Sequence, residues 1–165
     1  MNSLIVCRSR SHGNTERVAR AMAEVLGARL VHPEDIAPAE VAQYDVVGFG
    51  SGIYGLAFDT DLRRFVGMLP PVDDKAAFVF ATSGLGRVVE LPVRPRLATL
   101  IGAAGYRIVG TFCCRGFDTW TPLRIVGGLN KGRPDDADLD RARAFARRIG
   151  DAVGAREGGN ARESS

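Results

Sequence analysis

The chain has 165 residues, 45 % of them apolar, with a formal charge of +3 and a sequence pI near 9.0. These values suit one globular domain with its own core. They exclude a disordered chain, and no run approaches the roughly 20 apolar residues that a bilayer span requires. No basic leader precedes the first apolar run, so a cytoplasmic location is expected. Cys7, Cys113 and Cys114 are too few and too irregular for a disulfide framework, and neither a Cys-x-x-Cys pair nor a His/Cys metal spacing occurs. The arginines, Arg17, Arg20, Arg63, Arg64, Arg141 and Arg147 among them, are scattered and form no block of the kind that binds nucleic acid.

The first predicted element is a strand, Leu4 to Cys7, followed by a helix that turns Val18, Met22, Val25 and Leu26 to one face and stops at Gly27. Residues 28–32 read as a weak edge strand, and Val46 to Phe49 as a strand buried on both faces. A second helix starts from Asp59 as N-cap and runs through Leu62, Phe65, Val66 and Leu69 to the breaker Pro70-Pro71. Ala77 to Ala81 forms the next strand; a helix beginning near Pro95 carries Leu97, Leu100 and Ile101 before Gly102 and Gly105. The last strand is Arg107 to Cys113, and the last helix spans Asp136 to Val153 with Leu139, Ala142, Phe145, Ala146 and Ile149 inward. This alternation predicts an open, doubly wound α/β fold: a parallel five-stranded sheet with helices on both faces. The domain is expected to occupy residues 1–153, with 154–165 a mobile tail poor in apolar surface. The stretch 116–134 is long for a loop.

Between the first strand and first helix stands Ser9-Arg10-Ser11-His12-Gly13-Asn14-Thr15. Three hydroxyls, the Asn14 amide and the free N–H groups of a helix start make a cup of donors for a phosphate, and Gly13 permits close backbone approach. The Gly-Lys-Ser/Thr ending of a P-loop and the Gly-x-Gly-x-x-Gly of dinucleotide folds are both absent, so a monophosphate is favoured over ATP or NAD. Arg10 and His12 either touch the anion or face water.

Ser-x-Ser-x-Gly-Asn-Thr in this position resembles the phosphate loop of the flavodoxin family. The likeness extends over residues 3 to 150 and implies strand order 2-1-3-4-5 with FMN bound non-covalently beside the first and third strands. It further implies two flavin loops. One is Ser51-Gly52-Ile53-Tyr54-Gly55, with Tyr54 stacking on the ring and Gly55 beside flavin N5, where its peptide rotates to offer a carbonyl. The other is Thr82-Ser83-Gly84-Leu85-Gly86, whose backbone donors meet the pyrimidine end of the ring. No tyrosine follows this last loop as it does in the family, so Trp120 is a candidate to cover the second ring face, or else pins the long loop to the core.

The resemblance implies a redox protein with a partner protein or a small-molecule electron acceptor. Three functions remain open at this stage: a one-electron carrier, an FMN-dependent reductase of a quinone-like molecule, and a flavodoxin-fold binding protein without redox role. Carriers of the family surround the flavin with acidic residues; here Arg63, Arg64, Arg87, Arg94 and Arg96 stand against only Asp59 and Asp61, which weakens the carrier reading. Hydrolysis is not expected, because a Gly-x-Ser-x-Gly elbow is missing. Adjacent Cys113 and Cys114 should point to opposite faces of their strand as buried thiols.

Overall fold

A computed structural model describes residues 1–10, 13–54, 57–84, 90–116 and 132–163, with side chains for all of these except residues 54, 90–96 and 157–163. In chain order the elements are β1 (Ser3–Arg8), α1 (Asn14–Leu26), β2 (Arg29–Val31), α2 (Pro38–Val41), β3 (Val46–Tyr54), β4 (Ala57–Phe58), α3 (Thr60–Val66), β5 (Lys75–Ser83), α4 (Glu90–Ala103), β6 (Tyr106–Arg115) and α5 (Asp136–Glu163). The main sheet runs β2-β1-β3-β5-β6 with every pair parallel, which is the expected order once the short β4 is set aside.

Alternation along each strand divides the core between the two faces. Leu4, Val6, Val47, Phe49, Val79 and Ala81 pack with Leu62, Phe65, Leu97 and Ile101 beneath α3 and α4. Ile5, Cys7, Phe78 and Phe80 pack with Val18, Met22, Phe145 and Ile149 beneath α1 and α5. On this second face Phe78 and Phe80 stand in register with Gly48 and Gly50 of β3. A Cβ on either glycine would lie 2.3 Å from the Phe78 ring or 2.2 Å from the Phe80 ring, so the absent side chains are what lets the rings lie flat across β3.

Several boundaries differ from the sequence expectation, four of them near the site or the chain's end. β3 continues past Phe49 because its parallel pairing with β1 and β5 extends to Ser51 and Gly52, and its end then folds back as an antiparallel pair with β4. Ser51–Tyr54 is therefore strand, and so are Thr82 and Ser83 at the end of β5. α4 starts at Glu90 instead of near Pro95, which puts Pro92 in the first turn, where a missing N–H costs no intrahelical bond. α5 does not stop at Val153 but runs to Glu163, continuing the packed helix by further turns whose residues 154–156 are exposed. Arg156 adds an ion pair to Asp74 at 2.8 Å, near the amino end of β5.

Gly105 turns α4 into β6 with φ 87°, and a Cβ there would lie 1.7 Å from the Val72 carbonyl oxygen. Backbone cannot yield as a side-chain tip can. Gly105→Ala is accordingly expected to cost about 3 kcal/mol or more of unfolding free energy, measured by urea denaturation; a loss below about 1 kcal/mol would contradict this turn geometry.

Candidate functional site

The winding of the sheet reverses between β1 and β3: β2 lies on one side of β1, whereas β3, β5 and β6 follow on the other. A crevice opens at such a point beyond the carboxyl ends of the strands. The end of β1, the start of α1 from Gly13, the end of β3 and the end of β5 all converge there.

α1 begins at Asn14 behind Gly13, which adopts the left-handed conformation (φ 64°) and supplies no side-chain cap. Gly13 therefore caps the helix start with no side chain of its own, and the helix dipole leaves partial positive charge there. Ser9 Oγ, beside it in sequence, is buried without a hydrogen-bond partner among the described residues. Orphaned hydroxyls of this kind cost free energy unless a ligand or solvent completes them. Thr15, 1 % exposed, bonds through Oγ1 to Thr82 Oγ1 at 2.8 Å, which joins the first loop to the end of β5. Asn14, also buried, lies against Gly116, whose N–H donates to Ser83 O at 3.1 Å.

The end of β3 is organised from within. Ser51 Oγ accepts from Asp59 N at 3.0 Å and donates to Gly52 O at 2.8 Å, so this hydroxyl holds the β3–α3 connection. Asp59 caps α3 as expected, accepting from Asp61 N at 2.8 Å. Its nearly fully buried carboxylate also takes the Arg10 guanidinium, which reaches on to Asp61 at 2.8 Å. Asp61 in turn meets Arg8 at 3.5 Å, and Arg8 meets Glu34. This chain of ion pairs had no local signal, since Arg10 and Asp59 stand 49 residues apart.

Ser9, Gly13, Asn14, Thr15, Ser51, Gly52, Ile53, Thr82, Ser83 and Gly84 are thereby brought to one end of the sheet. Tyr54 closes β3, with its side chain undescribed. Ser11, His12, Gly55, Leu85, Gly86 and Trp120 lie outside the described residues. Where the chain returns at residue 132, Asp138 in the first turn of α5 is fully buried and bonds Arg133 at 2.7 Å, Arg141 and the Asp135 N–H. Burial works to raise its carboxyl, but the hydrogen bonds from Arg133 and Asp135 and the two guanidinium charges hold it below the usual value.

His32 Nδ1 bonds Cys7 O at 3.0 Å, and no cluster of three or more His, Cys, Asp or Glu side chains among the described residues is placed to hold a metal. Cys113 and Cys114 do face opposite sides of β6. Among the described residues no helix is long and apolar enough to cross a membrane.

With this geometry in hand, comparison places the chain in a family. Its residues 4–95 match the model described as Flavodoxin domain, and the chain belongs to that flavodoxin-domain family. An uncharacterized protein of Methanocaldococcus jannaschii is 33 % identical over 149 residues, covering 90 % of this chain and 98 % of that protein. Among solved structures, oxidised Flavodoxin 2 from Bacillus cereus superposes with TM-score 0.70 at 18 % identity, covering 92 % of this chain and 99 % of that one. A flavodoxin from the domain Archaea gives 0.69 at 17 %, covering 93 % and 99 %. At these identities the two structures speak for the fold.

Burial pushes the Cys7 and Cys114 thiols up to about 12, the nearby Glu16 and Asp138 carboxylates adding a smaller push in the same direction. An exposed thiol titrates near 9.0, so the folded state holds these protons longer than the unfolded one. The associated stability is full below pH 9.0 and is lost as pH climbs toward about 12. The denaturation midpoint is expected to fall across that window, and to fall less in a Cys7→Ala, Cys114→Ala double variant. At about pH 8, iodoacetamide should modify both thiols only after unfolding.

Proposed function

We propose that this protein binds FMN non-covalently at the carboxyl end of its sheet and transfers electrons through it. The observation that carries the reading is the approach to α1: a helix whose N-cap Gly13 supplies no side chain, preceded in the same connection by a Ser9 hydroxyl buried without a hydrogen-bond partner among the described residues. A folded protein keeps unsatisfied donors of this kind where a ligand supplies the acceptors, and phosphate oxygens supply several at once. Family membership agrees with this placement.

On this reading Ser9, Ser11, Asn14, Thr15 and the first-turn N–H groups hold the phosphate, with Gly13 admitting it close to the backbone. The Thr15–Thr82 hydrogen bond fixes the cup against β5. Tyr54 and Gly55 belong at the ring, as do residues 82–86, and Trp120 is proposed to cover its outer face. The bound flavin supplies one- and two-electron redox chemistry at N5; the chain's part is to bind and orient it and to restrict water.

A specific observation favours a reductase of a small quinone-like molecule over a carrier between proteins. A carrier steers its partner with free surface charge around the flavin. Asp59 here is buried against Arg10, and Asp61 is shared by Arg8 and Arg10, so neither offers an open acidic patch.

The reading is tested by titrating apoprotein with FMN and riboflavin while following flavin fluorescence. FMN is expected to bind far more tightly, and joint replacement of Ser11 and Thr15 by alanine to weaken FMN by about 1.5–3 kcal/mol per lost charge-assisted bond, leaving riboflavin little changed. Equal affinity for the two flavins would overturn the phosphate assignment.

A further inference from the structure

Arg10 lies one residue beyond Ser9 in the loop that forms the cup, and a guanidinium there is the obvious counter-charge for a phosphate dianion. Its Nε and Nη2 are instead committed to Asp59, and Nη2 also to Asp61 at 2.8 Å. The two carboxylates differ in kind. The Asp59 side chain is 2 % exposed, whereas that of Asp61 is 45 % exposed, where solvent screens the pair. Asp59 cannot exchange Arg10 for water without leaving a buried charge unpaired. It is also held from its other side, because its backbone N–H donates to Ser51 Oγ and its Oδ1 caps α3.

We propose that Asp59 acts as an internal anion that occupies Arg10 and thereby sets the charge of the phosphate cup, so that the phosphate is held by neutral donors and its affinity is limited by this residue. The inference rests on the phosphate reading above and assigns Asp59 a positioning role on the opposite side of the crevice. It makes the site adjustable by one charge: the Arg10–Asp59 pair is neutral together, positive without the carboxylate and negative without the guanidinium.

Asp59→Asn is the informative change, because asparagine keeps an oxygen to cap α3 and the backbone bond to Ser51 while removing only the charge. It is expected to tighten FMN binding about three- to tenfold at low salt, with the gain shrinking as salt screens Arg10. Arg10→Met should weaken FMN binding, and Arg10→Met with Asp59→Asn, which leaves no unpaired buried charge, should restore affinity to within about twofold of wild type. Inorganic phosphate, used as competitor against FMN, should follow the same order across the four proteins. Circular dichroism and thermal unfolding establish that each variant is folded.

Unchanged or weaker FMN binding by folded Asp59→Asn would overturn the inference, as would a double variant no better than Arg10→Met. Those outcomes, with wild type still preferring FMN to riboflavin, would leave the phosphate reading standing. Loss of that preference in wild type would remove both.

Discussion

Parallel strands must be joined by crossovers, and a right-handed crossover places its helix on the face set by the direction in which the next strand is added. In this chain the direction changes once along the main sheet, at β1 and β3. That reversal sends α1 and α5 to one face and α3 and α4 to the other, and it brings the connections after β1 and β3 to the same crevice, where Arg10 meets Asp59. The cup at the start of α1, the Thr15–Thr82 bond and the Asp59 hub are all consequences of where those connections come together. Had β3 been added beyond β2, no pair of loops would face across a gap, and the donors at Asn14 and Thr15 would open onto bulk water.

The middle of the sheet is built almost wholly of apolar side chains on both faces. Leu4, Ile5, Val6, Val47, Phe49, Phe78 and Phe80 are all at or near zero exposure, and the only room for two phenyl rings on one face comes from two missing side chains in β3. Rigidity at the strands and polarity at their ends are thus separated along the same residues. β3 passes from Val46 through Phe49 to a buried Ser51 whose hydroxyl is wholly employed in holding the next connection.

The central strands were legible in the sequence because burial on both faces leaves continuous apolar runs, and α1 because Gly13 and Gly27 bracket an amphipathic pattern. Asp59 was legible as a cap, since its capping bond reaches only two residues on. What escaped was set by long-range geometry. The extension of β3 through Gly52 depends on the register of its neighbours and not on its own glycine- and serine-rich sequence. The early start of α4 ran against two prolines, and the length of α5 past Val153 ran against its glycines. Arg10 was read as either touching the anion or facing water; its ion pair with Asp59 belongs to two loops that meet only in the folded chain.

The two ends of the described chain share one side of the molecule. Met1 approaches Asp45 at the amino end of β3, and Arg156 reaches Asp74 just before β5. The crevice opens at the other end of these strands, a full strand length away. Anchoring the protein to an electrode or bead through Met1 or through the end of α5 would therefore present the crevice outward to solution, in a uniform orientation and with no linker crossing its mouth.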